Sequence, residues 1–196
     1  MIADCTLVLL CAGRSKRFGE GSKLLEPLYG RPLVQHTAAT LGVLPFARRL
    51  AVVPADDEQL GRLLIAESFD LVPNTRPQDG ASQSIRLGLE EAARLKPTAV
   101  LVALGDMPFV TPVHIRRLIH TGRPALSLDP SGWRSPPALF PAIMVEALLE
   151  NREDPRETLK GAPDVALQRA APGELVDFDT LDDFRSATDR CPVGLR

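Results

Sequence analysis

Four cations crowd one short stretch of this chain: Arg14, Lys16, Arg17 and Lys23. They follow an apolar run that closes on Leu10, Cys11, Ala12 and Gly13, and they share the stretch with Ser15 and Gly19. Small residues let a ligand approach the backbone, and glycine tolerates the dihedrals of a tight loop. Loop N–H groups in a dense positive field suit the oxygens of a polyphosphate, so a triphosphate is the natural guest. The charges alone would also fit a solvated basic face. What points to a ligand is the order: apolar strand, small residues, Arg17-Phe18-Gly19, then Lys23-Leu24-Leu25. Neither common phosphate fingerprint is present, because G-x-x-x-x-G-K-S/T does not occur and Gly13 and Gly19 do not fit G-x-G-x-x-G. Without that second pattern or an acidic ribose residue in register, a dinucleotide-dependent oxidoreductase drops out.

Three further groups could join such a loop. Asp106 stands in Leu104-Gly105-Asp106-Met107-Pro108-Phe109, directly after an apolar run. An aspartate there can be a turn or cap residue. One that faces a triphosphate also suits Mg2+, which takes a carboxylate or two together with phosphate oxygens and water. Asn74 and the segment Gly80-Ala81-Ser82-Gln83-Ser84-Ile85 offer short polar side chains, Ser84 among them, and the unpaired N–H groups of a helix start. These could read the polar edge of a base, or merely cap a helix. Asp177 and Asp179 alternate on an expected strand and so share one face, with Thr180 as the next N-cap and Asp183 at the capping-box position. Cys5, Cys11 and Cys191 lack metal-ligand spacing and read as reduced structural thiols. His36, His114 and His120 have no ligand-like spacing either and read as helix or surface residues.

Positioning these groups requires strands that end together. Apolar runs place strands near 5–11, 49–53, 69–72, 99–104 and 125–128, and amphipathic stretches place helices near 32–43, 57–67, 82–95 and 112–121. Pro32 and Pro112 suit a first helical turn, Asp56 or Asp57 would cap the second helix, and Ser82 or Ser84 would open the third. The alternation predicts an α/β fold whose mainly parallel sheet is covered on both faces. Ligands of such sheets sit at the carboxyl ends of the strands, which brings the cationic loop beside Asp106. At 196 residues the chain suits one domain, taken as 1–190 with a frayed tail at 191–196. A net charge of −2 leaves no electrostatic footprint for nucleic acid or an anionic membrane. The first apolar run is too short for a membrane span and lacks the flanks of a signal peptide, so a cytoplasmic location is expected.

Taken in order, these segments resemble the motifs of the MobA-like nucleotidyltransferases, the molybdenum cofactor cytidylyltransferase and guanylyltransferase group. Leu9 to Gly19 with Lys23-Leu24-Leu25 is similar to L-A-A-G-x-S-x-R-F-G…K-L-L, and Gly80 to Gly88 to G-x-S-x-S-I/L-x-x-G. Gly105 to Pro108 is similar to G-D-x-P, and residues 177–184 to a D-I/V-D-T-x-x-D-L/F ending. The resemblance covers most of residues 5–188. It implies a three-layer Rossmann-like nucleotidyltransferase fold that transfers a nucleoside monophosphate to a phosphate-bearing acceptor and releases pyrophosphate. It further implies Lys23 at the α-phosphate, Arg17 with Arg14 on the β- and γ-phosphates, and Mg2+ on Asp106 with Asp179 and Asp177. Nucleotide contacts would come from Leu10, Cys11, Ala12, Gly13, Arg14, Ser15, Asn74, Gly80 and Ser84.

Cys11-Ala12-Gly13 is closer to the Ala-Ala-Gly of the cytidylyl branch than to the Ala-Gly-Gly of the guanylyl branch, and Ser82-Gln83-Ser84-Ile85 also resembles the cytidylyl branch. A methyl group on Ala12 would narrow the base pocket, so CTP with molybdopterin as acceptor is the expectation, with a transient molybdoenzyme partner. GTP, sugar phosphates and phospholactate remain alternatives. Two segments depart from the pattern. Ser135 stands where the G-x-x-G-x-P-x-x-F segment usually has glycine. Glu153 to Leu159 keeps Asp154 but loses both glycines and displaces the arginine of G-D-x-G-A/S-R, a loop associated with the acceptor. That loss supports a competing expectation, a non-catalytic accessory factor that carries a nucleotide or finished cofactor. Retention of Lys23 and Asp106 opposes it.

Overall fold

The computed structural model describes residues 2–13, 22–176, 178 and 184. Its frame is a seven-stranded sheet built from β1 (Cys5–Leu10), β4 (Arg48–Pro54), β5 (Asp70–Asn74), β6 (Ala99–Leu104), β7 (Ala125–Leu128), β8 (Arg134–Pro141) and β9 (Ala166–Arg169). The strand order is β5-β4-β1-β6-β8-β7-β9. β1 lies in parallel register between β4 and β6, with Leu10 opposite both Val52 and Leu104. β8 runs antiparallel to β6 and β7, so the sheet is mainly parallel, as expected. A two-residue hairpin, β2 (Pro27–Leu28) with β3 (Arg31–Pro32), stands apart from it.

Helices cover both faces, which is why β1 and β6 can be apolar at nearly every position. α1 (Leu33–Gly42), α2 (Glu58–Ala66) and α4 (Pro112–His120) close one face with Leu7, Leu9, Ala51 and Leu101 beneath them. α3 (Ala81–Arg94), α5 (Ala142–Asn151) and α6 (Pro155–Gly161) close the other over Val8, Val52, Val102 and Phe140. The result is three layers. The foreseen strands and helices are present, with Asp57 capping α2 by accepting from Leu60 N–H at 3.0 Å and Pro112 in the first turn of α4. Among the described residues, no helix is long and apolar enough to cross a membrane.

Several local expectations are corrected. Pro32 sits one residue before α1, as the end of β3. Ser82 and Ser84 lie inside α3, whose N-cap is Gly80. The hairpin, β8, β9, α5 and α6 add to the elements expected from the sequence, and most of the Glu153–Leu159 stretch is a capped helix rather than a loop. Its Asp154 carboxylate accepts from the N–H groups of Arg156 (2.8 Å) and Glu157 (3.1 Å), and Pro155 opens the helix. His114 is more than a helix residue, being only 2% exposed. Its Nε2–H donates to Ser127 Oγ at 2.8 Å, and Ser127 donates onward to the Pro137 carbonyl at 2.6 Å. Its Nδ1 lies 3.9 Å from Glu174 Oε2 and, among the described residues, has no hydrogen-bond partner. Glu174 accepts from the Thr111 N–H and hydroxyl and from Ala171 N–H, tying the 171–175 turns to the start of α4.

Candidate active site

The carboxyl ends of β1 and β6 close on each other tightly. Gly105 N–H donates to the Leu10 carbonyl at 2.9 Å, and Thr37 Oγ1 donates to the Gly105 carbonyl at 3.1 Å. A Cβ at Gly105 would stand 2.8 Å from Cys11 Sγ and 3.3 Å from the Leu10 oxygen, so glycine alone fits. This clamp fixes the next residue, Asp106, just past the carboxyl end of β6.

Lys23 arrives from the other side. It begins a 3-10 turn, Lys23–Leu25, anchored by Leu24 in the core, and Leu33 N–H donates to the Glu26 carbonyl just beyond. The turn presents Lys23 Nζ to Asp106 Oδ2 at 2.9 Å, with the lysine side chain 6% and the aspartate 24% exposed. The sequence assigned these two residues to different tasks. The structure joins them in one ion pair just past the carboxyl end of β6, 83 positions apart in the chain.

The base-side candidates also come together. Asn74, only 1% exposed at the end of β5, donates from Nδ2 to Ser84 Oγ at 3.1 Å and accepts from Arg76 N–H at 2.8 Å. Ser84 is therefore oriented from below. Gly80 has φ +94°, a conformation that L side chains rarely adopt, and the space where its Cβ would point is open.

Leu10, Cys11, Ala12 and Gly13 lie where expected, but the structure changes what they can offer. Cys11 packs in the core against Gly105, and burial first, then the charges of Asp106 and Asp57, push its thiol well above the ordinary range. It is a neutral packing group. Ala12 is 1% exposed and faces the α3 layer, so its methyl group is part of the core and does not narrow an open base pocket. These two residues have only their main chain to offer a nucleotide. Arg14, Ser15, Arg17, Asp177 and Asp179 lie outside the described residues, as do Lys16, Thr180, Asp183 and the 191–196 tail. Phe178 is described and is 1% exposed, its ring edge-on to Phe109 at 6.1 Å and to Phe184 at 5.3 Å. Phe109 is three residues beyond Asp106, so the chain between the two C-terminal acids is anchored beneath the Asp106 loop.

Among the described residues no three His, Cys, Asp or Glu side chains gather as a metal cage. Asp106 offers one carboxylate, with one oxygen already on Lys23. That donor set fits a hard cation held mainly by phosphate oxygens, the usual manner of Mg2+.

Sequence reasoning missed a cavity of about 340 Å3 beside this pair. Leu10, Leu104 and Met107, the residue after Asp106, line it at the carboxyl ends of β1 and β6, while Trp133, Arg134, Arg156 and Lys160 line it from the start of β8 and from α6. One signal was available: Asp154-Pro155 reads as N-cap and first turn, and Arg156 and Lys160 at i, i+4 then share a helix face.

A family profile described as the MobA-like NTP transferase domain matches residues 7–168. The chain is 31% identical over 155 residues to the bifunctional enzyme IspD/IspF of Paramagnetospirillum magneticum, covering 78% of this chain and 37% of that protein. It is 34% identical over 119 residues to nicotine blue oxidoreductase of Paenarthrobacter nicotinovorans, covering 61% of this chain and 57% of that protein. Over 95% of its length it superposes on the Mycobacterium tuberculosis H37Rv protein Rv0371C, solved in complex with manganese, covering 99% of that chain with a TM-score of 0.73 and 22% identity. The chain spans a quarter to under three-fifths of the length of the curated relatives it matches, from 25% to 57%.

Proposed function

The chain belongs to the MobA-like NTP transferase domain family, and from that premise we propose that it transfers CMP from CTP to a phosphorylated acceptor, molybdopterin, and releases pyrophosphate. The observation that carries the proposal is the Lys23–Asp106 contact at the joined ends of β1 and β6. A purely structural ion pair has no need to sit at the ligand edge of a parallel sheet, where open α/β folds bind their substrates.

An acceptor phosphate is largely ionised at neutral pH, so its attack needs no strong general base. One of its oxygens bonds to the α-phosphorus, the bond from that phosphorus to the bridging oxygen breaks, and the oxygen departs on pyrophosphate. Catalysis then consists of placement and charge neutralisation. The Lys23 ammonium has three N–H donors. Asp106 holds one, which fixes the nitrogen and leaves two for non-bridging oxygens of the α-phosphate. Arg17 and Arg14 would neutralise the β- and γ-phosphates as charge builds on the leaving group. Mg2+ held by Asp106, with Asp179 or Asp177, would supply further positive charge to the phosphate oxygens. Ser84, oriented by Asn74, would meet the base or ribose, with the open face of Gly80 close by.

CTP rests on the resemblance of Ser82 to Ile85 to the cytidylyl branch, since the Ala12 methyl group is buried. The likeness to nicotine blue oxidoreductase favours a second reading, in which this fold acts on a redox substrate. Replacing Lys23 or Asp106 with alanine separates the two. Nucleotidyl transfer should fall by about two to three orders of magnitude, the usual cost of losing one preorganised electrostatic donor, while circular dichroism stays native. Near wild-type transfer in either variant would remove the assigned roles. Dye reduction or NAD(P)H oxidation without pyrophosphate release would favour the second reading.

A further inference from the structure

The cavity beside Lys23 and Asp106 has two unlike ends. At one end are the termini of β1 and β6, through Leu10 and Leu104, with Met107 next to Asp106. Its floor is apolar and belongs to the α3-side core: Ile85, Leu126, Phe140 and Leu159 are all at most 5% exposed. At the other end stand Arg134 from the start of β8 and Arg156 and Lys160 from α6, all three exposed at the rim. Asp129, the one acid lining the cavity among the described residues, accepts from Ser131 Oγ and Trp133 N–H, which stabilises its own turn. Trp133, 71% exposed, stands beside this wall.

Strand geometry sets the separation of the two ends. Val102 of β6 is opposite Ala138 of β8, so Arg134 lies beyond the Leu104 level, two strands over from β1. At the usual spacing between strands, β1 and β8 themselves stand roughly 10 Å apart. The helix that carries two of the cations is held in place on α3. Arg86 donates to the Glu153 carbonyl, one residue before the Asp154 that caps α6.

We propose that this cavity holds the acceptor, and that it selects a molecule with a flat ring system, one face on the apolar floor, and a second negative charge at the end away from its reacting phosphate. The occupant's identity as acceptor rests on the transferase reading; the ligand chemistry rests on the cavity alone. An apolar floor offers a polyol no hydrogen-bond partners, which disfavours small sugar phosphates. An exposed tryptophan beside guanidinium groups suits a flat, electron-rich ring with an anionic substituent. The loop that departs from the family pattern thus supplies the discriminating charges, by becoming a helix that places Arg156 and Lys160 on one wall.

The test compares two probes by calorimetry: 6-phosphonooxy-2-naphthoate, with an anion at each end of a flat ring, and 2-naphthyl phosphate, which lacks the carboxylate. The first should bind at least about tenfold tighter, the scale of one charge-assisted hydrogen bond. Arg156→Ala with Lys160→Ala should erase that difference without altering the affinity for 2-naphthyl phosphate, and Arg156→Lys should restore part of it. Trp133 is the only tryptophan, so its single indole N–H resonance should shift with the first probe and not with inorganic phosphate. Equal affinities, a difference that survives the double substitution, or displacement of the probe by cytidine would each overturn the assignment. Pyrophosphate release is read separately. Its absence with intact probe discrimination removes the transferase reading alone, and its presence without discrimination removes the cavity assignment alone.

Discussion

Replacing Gly105 with alanine perturbs the site while leaving the Lys23 and Asp106 side chains chemically intact. The added Cβ would stand 2.8 Å from Cys11 Sγ, where non-bonded heavy atoms normally keep about 3.5–4.0 Å. The ends of β1 and β6 must therefore separate by roughly 1 Å. Asp106 is the next residue, and its 2.9 Å contact with Lys23 lies near the middle of the hydrogen-bond range, so such a shift breaks it. Overpacking of this kind costs about 1–3 kcal/mol. For a chain of this size each kcal/mol lowers Tm by about 2–4 °C, which predicts a fall of about 2–12 °C by calorimetry. A 1 Å misplacement should also reduce nucleotidyl transfer by about a hundredfold. Adding Cys11→Ala removes the closest clash and leaves only the 3.3 Å approach to the Leu10 oxygen and 3.4 Å to Val34. The double variant should then be less destabilised than the sum of the singles by at least about 0.5 kcal/mol. Wild-type Tm and transfer in Gly105→Ala, or strict additivity of the pair, would refute this view of the clamp.

Two further substitutions test the surroundings. Burial alone would raise the Asp154 carboxyl, but the Ser82 hydroxyl and the Glu157 and Arg156 N–H groups outweigh it and hold the carboxyl below the ordinary range. Asp154→Ala should cost about 1 kcal/mol as a lost cap, seen as faster amide exchange confined to α6; unchanged exchange there would contradict the capping role. His114 is lowered from its ordinary 6.5, by burial first, with the Arg117 charge adding to this and the Glu174 charge opposing it. Its folded state binds fewer protons than the unfolded chain, so its contribution to stability is complete above pH 6.5 and is lost as pH falls from there toward the lowered value. Denaturant titrations should show that slope in the wild type and a smaller one in His114→Gln; equal slopes would exclude His114 as its source.

Much of this arrangement is legible in the chain because its strongest signals are local. β1 and β6 are unbroken apolar runs, and Asp57 and Pro112 mark helix starts by their own side chains. β8 was hidden by Pro136 and Pro137, residues that usually argue against an interior strand. They are tolerated because the β7–β8 register shifts there, between the Leu126–Ala138 and Ser127–Ser135 pairs. α5 lacks a capping side chain and follows Pro141, so nothing local announces it. α6 is announced by Asp154-Pro155, but the match of this segment to a family loop motif masks that signal. The Lys23–Asp106 contact and the cationic wall join residues remote in sequence, and only the topology that sets β1 beside β6 and α6 beside α3 brings them together. Ala12 shows the converse limit. Its residue type resembles the cytidylyl branch, but the direction of its methyl group depends on packing that no motif specifies.

Pyrophosphate release with Mg2+, compared across CTP, GTP, ATP and UTP with and without molybdopterin, is the most direct test of nucleotidyl transfer. Release from CTP that requires molybdopterin is the expected result. Binding of nucleotide with no release from any of the four, under either condition, would contradict it and favour a carrier of nucleotide or cofactor.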